Sequence, residues 1–140
     1  MERLLVDTGF LVALGRSRDS LHHAARTFLE GCTMPLATVT AVVVEACHFL
    51  NTDSRRALLA WLSDGGPAVI EVPPEAYPEL SKTMERYKER DVDFADAALV
   101  WLAEQTGHHA ILTVDETDFR RFRLKDRGRF ELVDWRGGSP

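Results

Sequence analysis

Asp7 follows the apolar run Leu4-Leu5-Val6 and precedes Thr8 and Gly9, the pattern of a strand passing into a helix. A carboxylate there serves equally as the N-cap of that helix or as a ligand at the carboxyl end of the strand. Glu45 lies in Ala41-Val42-Val43-Val44-Glu45-Ala46-Cys47-His48-Phe49-Leu50, a helical stretch apolar almost all round and therefore expected to be buried. A buried carboxylate needs a cation, a metal or a proton. An arginine from elsewhere in the chain, or a hydrogen bond from His48 one turn on, would also meet that need. Asp93 and Asp96, in Asp93-Phe94-Ala95-Asp96-Ala97-Ala98-Leu99, share a helix face; they read equally as an N-cap with a first-turn charge. Asp115 follows Ile111-Leu112-Thr113-Val114, and Asp118 stands three residues on, where a helical turn would point it the same way. Thr113 either hydrogen-bonds a carboxylate or simply belongs to its strand, and the second reading is preferred.

These acids meet only if the elements carrying them end at one place. Apolar runs at Leu4–Val6, Leu36–Val39, Ala68–Val72, Ala110–Val114 and Phe130–Val133, bounded by turn formers or charges, predict five strands. Helical patterns fill the intervals at Thr8–Leu14, Leu21–Glu30, Thr40–Leu50, Ser54–Leu62, Glu75–Glu89 and Phe94–Thr106. Strands that alternate with helices and are apolar on both faces predict a three-layer α/β/α domain around a central, mainly parallel, five-stranded sheet. Ligands of such sheets collect beyond the carboxyl ends of the strands, where the winding reverses. Three separate segments place carboxylates at that edge. Two carboxylates about 4 Å apart repel by about 4 kcal/mol at an effective dielectric of 20, so a cluster requires a divalent cation or raised pKa values. All-oxygen ligation suits Mg2+ or Mn2+. The adjacent pairs His22-His23 and His108-His109 diverge and lack the spacing of a zinc site.

A chain of 140 residues, 45% of them hydrophobic, has the length and core of one domain, expected over 1–135 with 136–140 as a flexible tail. Seventeen Lys+Arg against 22 Asp+Glu give a net charge of -5, which excludes a whole-chain basic field for nucleic acid. The basic charge is concentrated instead in Arg120–Arg129, which holds six basic residues and one acid. That run reads either as a solvated face or as a path for phosphates led by Arg120, Arg121 and Arg123, with Arg16 and Arg18 extending it. Cys32 and Cys47, outside any Cys-x-x-Cys arrangement, offer neither a disulfide scaffold nor a thiolate zinc site. No signal-peptide pattern opens the chain and no window approaches the roughly 20 apolar residues of a membrane span, so a cytoplasmic protein without membrane contact is expected.

In order along the chain, Leu4-Leu5-Val6-Asp7-Thr8, Val44-Glu45-Ala46, Asp93-Phe94-Ala95-Asp96-Ala97-Ala98-Leu99 and Leu112-Thr113-Val114-Asp115-Glu116-Thr117-Asp118-Phe119 resemble a PIN domain. More narrowly, they resemble the VapC-like PIN proteins of bacterial toxin–antitoxin pairs. The resemblance covers nearly the whole chain. It implies that Asp7, Glu45, Asp96 and Asp115 form the family's acidic quartet, as catalytic residues and metal ligands, with Thr8 and Thr113 as polar neighbours. The fourth acid varies in position, which leaves Asp118 as its alternative, and Asp93 is an extra acid that many relatives lack. The implied activity is a Mg2+- or Mn2+-dependent endoribonuclease that hydrolyses RNA phosphodiester bonds with water as nucleophile, needing no Ser or Cys. A VapBC-type toxin with a cognate antitoxin is implied as well. So is a homodimer, for which the amphipathic helix around Tyr77, Leu80, Met84 and Tyr87 is the candidate interface.

Two other readings compete. A noncatalytic PIN-like RNA-binding module would usually have lost part of the quartet, and none of it is lost here. A phosphoacceptor, receiver-like signalling domain would use Asp7 or Asp115, but it lacks the expected lysine and leaves Glu45 unexplained.

Overall fold

The computed structural model describes residues 2–126 and 128–137. Met1, Arg127 and residues 138–140, including most of the expected tail, lie outside the described residues. Within that tail, Arg136 donates from Nη2 to the Val114 carbonyl at 3.0 Å.

Five strands form one sheet: β1 (Leu4–Val6), β2 (Leu36–Val39), β3 (Ala68–Ile70), β4 (Ala110–Leu112) and β5 (Glu131–Leu132). Their order is β3-β2-β1-β4-β5, and every pairing is parallel. Leu5, Val6, Val39, Ile111 and Leu112 are fully buried, because helices cover both faces of the sheet and the strands cannot alternate apolar with polar. The helices are α1 (Thr8–Gly15), α2 (His22–Gly31), α3 (Thr40–Phe49), α4 (Thr52–Ser63), α5 (Tyr77–Arg86), α6 (Phe94–Thr106) and α7 (Glu116–Arg121). The chain winds outward from β1 through β2 to β3, then returns to lay β4 and β5 on the other side of β1. The winding therefore reverses between β1 and β4, and a crevice opens beyond their carboxyl ends.

Three expectations change. The helix expected over Glu75–Glu89 is broken into a 3-10 turn at Pro74–Ala76, then α5, then a second 3-10 turn at Lys88–Arg90. Pro78 sits in the first turn of α5, where its missing N–H costs nothing, and Asp91 ends the second 3-10 turn in the left-handed region at φ 52°. Helix α3 is not buried all round: Val42, Val43 and Ala46 face the core, whereas Val44 and Phe49 are 65% and 53% exposed. The face of α5 proposed as an interface points largely inward. Leu80 is buried, Met84 and Tyr87 pack against the core, and the face retains only Tyr77 at the surface.

Helix α7 was foreseen only as a turn, and it is held from below. Phe119, fully buried, meets the rings of Phe122 and Phe130 edge-on at 5.1 Å each, and Phe122 meets Tyr87 at 5.0 Å. These contacts fix the loop that carries Asp115 and Asp118. Among the described residues no helix is long and apolar enough to cross a membrane. Phe119→Ala should therefore cost about 3–5 kcal/mol of stability. Denaturant unfolding measures this, and a loss below about 0.5 kcal/mol, the scale of a surface change, would show that the cluster does not anchor α7.

Candidate metal centre

Asp7 ends β1 at the point where the winding reverses. Its Oδ1 accepts the Thr8 N–H at 2.7 Å and so caps α1, while its Oδ2 accepts the Thr113 hydroxyl at 2.7 Å. The Thr113 hydroxyl in turn accepts the Asp115 N–H at 2.9 Å, and its carbonyl accepts the Trp135 indole N–H at 3.1 Å. Thr113 thus ties the end of β4 to the end of β1 as a carboxylate partner, contrary to the preferred strand-only reading. Thr8 does the same for α3 by donating its hydroxyl to Glu45 Oε1. Glu45 is half-buried and is held by Thr8, not by His48, whose ring packs against Phe49.

Asp93 and Asp96 divide the work at the start of α6. Asp93 is the N-cap, accepting the Asp96 N–H at 2.9 Å, while the Asp96 carboxylate stands beside Asp115 and Asp118. Asp115 caps α7 by accepting the Asp118 N–H at 3.3 Å. Capping and clustering are therefore not alternatives, because a carboxylate can cap with one oxygen and present the other. Carboxylate oxygens of Asp96, Asp115 and Asp118 lie within 4.8 Å of one another, so both acids considered for the fourth position stand beside Asp96. Among the described residues no arginine pairs with Glu45; Arg90 directs Nε and Nη2 to Asp118 Oδ1, both at 2.8 Å.

The electrostatics reflect this crowding. Burial pushes the Asp7 carboxyl up to about 6; the hydrogen bonds from Thr113 and the Thr8 N–H oppose the rise, and the charges of Glu45 and Asp115 add to it. Asp96 is pushed up to about 8, first by burial and then by Asp7, Asp93, Asp115 and Glu45. Glu45 is raised by burial and by Asp93, against the Thr8 hydrogen bond. Asp115 is raised by burial, with the Asp118 N–H and Arg90 pulling the other way and Asp118 pushing it up. An all-carboxylate donor set that burial, and then mutual repulsion, resists ionising is chemically suited to a hard divalent cation such as Mg2+ or Mn2+.

Arg120, Arg121 and Arg123 are exposed and, with Tyr87, Arg90 and Arg129, line a cavity of about 290 Å³. Arg90, through Asp118, joins that cavity to the acids. Sequence reasoning missed Arg90 because it lies in the mixed-charge run Lys88-Glu89-Arg90-Asp91, whose turn no periodicity announces.

A family model described as PIN domain matches residues 4–125. Ribonuclease VapC26 of Mycobacterium tuberculosis (strain ATCC 25618 / H37Rv) is 25% identical over an alignment of 134 residues that covers 93% of this chain and 99% of that relative. The crystal structure of Mycobacterium tuberculosis VapC20, described as a sarcin-ricin loop cleaving toxin, superposes with a TM-score of 0.74 at 22% identity. That superposition covers 82% of this chain and 93% of the other.

The raised carboxyls fix the sign of a pH effect. From the ordinary value of 3.8 up to about 6 for Asp7 and about 8 for Asp96, the folded chain holds protons that the unfolded chain has released. Stability should therefore fall as pH rises through that window. Thermal melts in chelator should show this fall from pH 5 to pH 8, with a shallower slope for Asp96→Asn. At pH 8, Mn2+ at 100 times its Kd for wild type should add about 2.7 kcal/mol to wild type and, at that same concentration, less to the variant. A flat profile, or equal metal gains in both proteins, would remove Asp96 from the cluster.

Proposed function

This chain belongs to the PIN-domain family, and from that premise we propose that it is a Mg2+- or Mn2+-dependent endoribonuclease that hydrolyses RNA phosphodiester bonds. The observation that carries the proposal is the grouping of carboxylate oxygens of Asp96, Asp115 and Asp118 within 4.8 Å of one another, with Asp7 and Glu45 near enough for their charges to raise the Asp96 carboxyl. The chain is a distant homologue of VapC toxin ribonucleases, and we extend the reading to the toxin of a VapBC-type pair, neutralised by a cognate antitoxin and active as a homodimer in the cytoplasm.

Asp96, Asp115 and Asp118 would hold the cation, with Asp7 and Glu45 near enough for their charges to act on Asp96. A divalent ion bound there supplies Lewis-acid polarisation of a phosphodiester and makes water more acidic. Thr113 and Thr8 fix the carboxylates of Asp7 and Glu45, so the oxygens are oriented before substrate arrives. The carboxyls of Asp96 and Asp7, raised in the metal-free chain, would give up their protons to a bound cation, so that loading of the site becomes easier as pH rises. Arg120, Arg121 and Arg123 present cations to the RNA backbone beside a crevice that would otherwise repel it.

Asp96→Asn keeps the shape of the side chain and leaves the Asp93 cap in place. Cleavage of RNA in Mg2+ should fall at least about a hundredfold, on the order of the loss from removing one electrostatic group of an active site, while the circular dichroism spectrum stays unchanged. Wild-type cleavage by the purified variant, with a chelator control to exclude a contaminating nuclease, would defeat the proposal.

A further inference from the structure

The arginine cavity next to the acids has a feature that general RNA attraction does not explain. Arg123 and Arg129 stand opposite each other in an antiparallel bridge, closed by the Leu124 N–H donating to the Gly128 carbonyl at 3.0 Å. Like charges placed directly across a bridge destabilise it, yet here Arg90, Arg120 and Arg121 line the same space. Glu89 is the one acid among the described residues of that lining. Arg120 already has a partner in Glu116 at 3.2 Å, and Arg90 has Asp118.

The arginines are also set on a firm base. Exposure alternates along Arg121, Phe122, Arg123 and Leu124, with Phe122 and Leu124 buried. Packing of Phe122 against Phe119 and Tyr87 therefore points Arg121 and Arg123 outward from fixed backbone positions. The Tyr87 hydroxyl accepts the Arg123 N–H at 2.9 Å, and among the described residues no acceptor takes its own hydrogen.

We propose that Tyr87, Arg121, Arg123 and Arg129 build a discrete site for one backbone phosphate of the RNA, at one remove from the bond that is cut. The proposal rests on the endoribonuclease reading for the identity of its ligand. A tetrahedral phosphate offers acceptors in several directions and suits guanidinium groups arriving from separate segments. A planar carboxylate keeps its acceptor sites in one plane, where a single guanidinium fork takes the two that face it. An acidic peptide would therefore leave most of this lining unused. The Arg90–Asp118 pair sets the phosphate one side chain away from the acids, so holding it would register the strand over the crevice.

Binding of a labelled single-stranded RNA to the full chain in chelator, measured by fluorescence anisotropy across a salt series, tests this independently of cleavage. Arg123→Ala and Arg129→Ala should each weaken binding roughly tenfold, as for loss of a hydrogen bond to a charged group. Each should also reduce the slope of log K against log salt by about 0.7, the value for one phosphate on a single strand. The double variant should lose no further slope, because the two arginines serve one phosphate. Inorganic phosphate should compete with RNA better than glutamate at equal ionic strength, and that advantage should vanish in the double variant. Slope losses that add between the two arginines would mean a diffuse basic face and overturn the site. Unchanged affinity, or glutamate competing as well as phosphate, would overturn it too. If these binding results hold while Asp96→Asn still cleaves, the phosphate site stands and the assignment of the acids fails.

Discussion

Repulsion among carboxylates at the carboxyl edge between β1 and β4 is the constraint to which the surrounding structure answers. Asp7, Asp93 and Asp115 each immediately precede a helix and each accept a backbone N–H from its first turn. The starts of α1, α6 and α7 therefore turn their partial positive charge toward the acids, which moderates the repulsion in the absence of any ion. Thr113 and Thr8 add hydroxyl donors, and Arg90 adds one full charge on Asp118. These donors do not cancel the strain: Asp96 remains raised to about 8, with burial and four neighbouring acids all acting in the same direction. Such a cluster is held together by folding energy gained elsewhere, in the apolar strands and in the phenylalanines beneath α7.

Much of this was legible in the sequence, and for identifiable reasons. The strands were readable because burial on both faces makes them continuously apolar, and β1 and β2 lie at the expected residues. Asp7 and Asp115 were readable because each follows such a run directly. The partnership of Thr113 with Asp7 was not, because it spans 106 residues and depends on which strands are neighbours. Exposure of Val44 and Phe49 was also hidden, since composition reports how apolar a helix is but not whether another element covers it. The helix expected over Glu75–Glu89 is divided by local turns that the 3.6-residue pattern does not register: Pro78 fits only the first turn of a helix, so α5 starts beside it, and α5 ends at Tyr87 before a separate 3-10 turn.

The basic and acidic sides of the crevice belong to one design. The chain is acidic overall, with a net charge of -5, so a polyanion approaching the carboxylates meets repulsion unless cations flank them. The last turn of α7 and the segment after it supply those cations close to Asp115 and Asp118, and the same aromatic packing that places the acids places the arginines. Attraction and chemistry are thereby locked to a common base, and a shift in one would shift the other.

Mn2+ binding followed by titration calorimetry in two buffers of different protonation enthalpy tests the central claim most directly, because it counts protons as well as ions. At pH 7 an Asp96 raised to about 8 is largely protonated before the ion arrives. Binding should therefore release about one proton per site, fewer at pH 9, where the carboxyls are already ionised. Binding with no proton release at pH 7, or no binding heat at millimolar Mn2+, would contradict a metal centre built from these carboxylates.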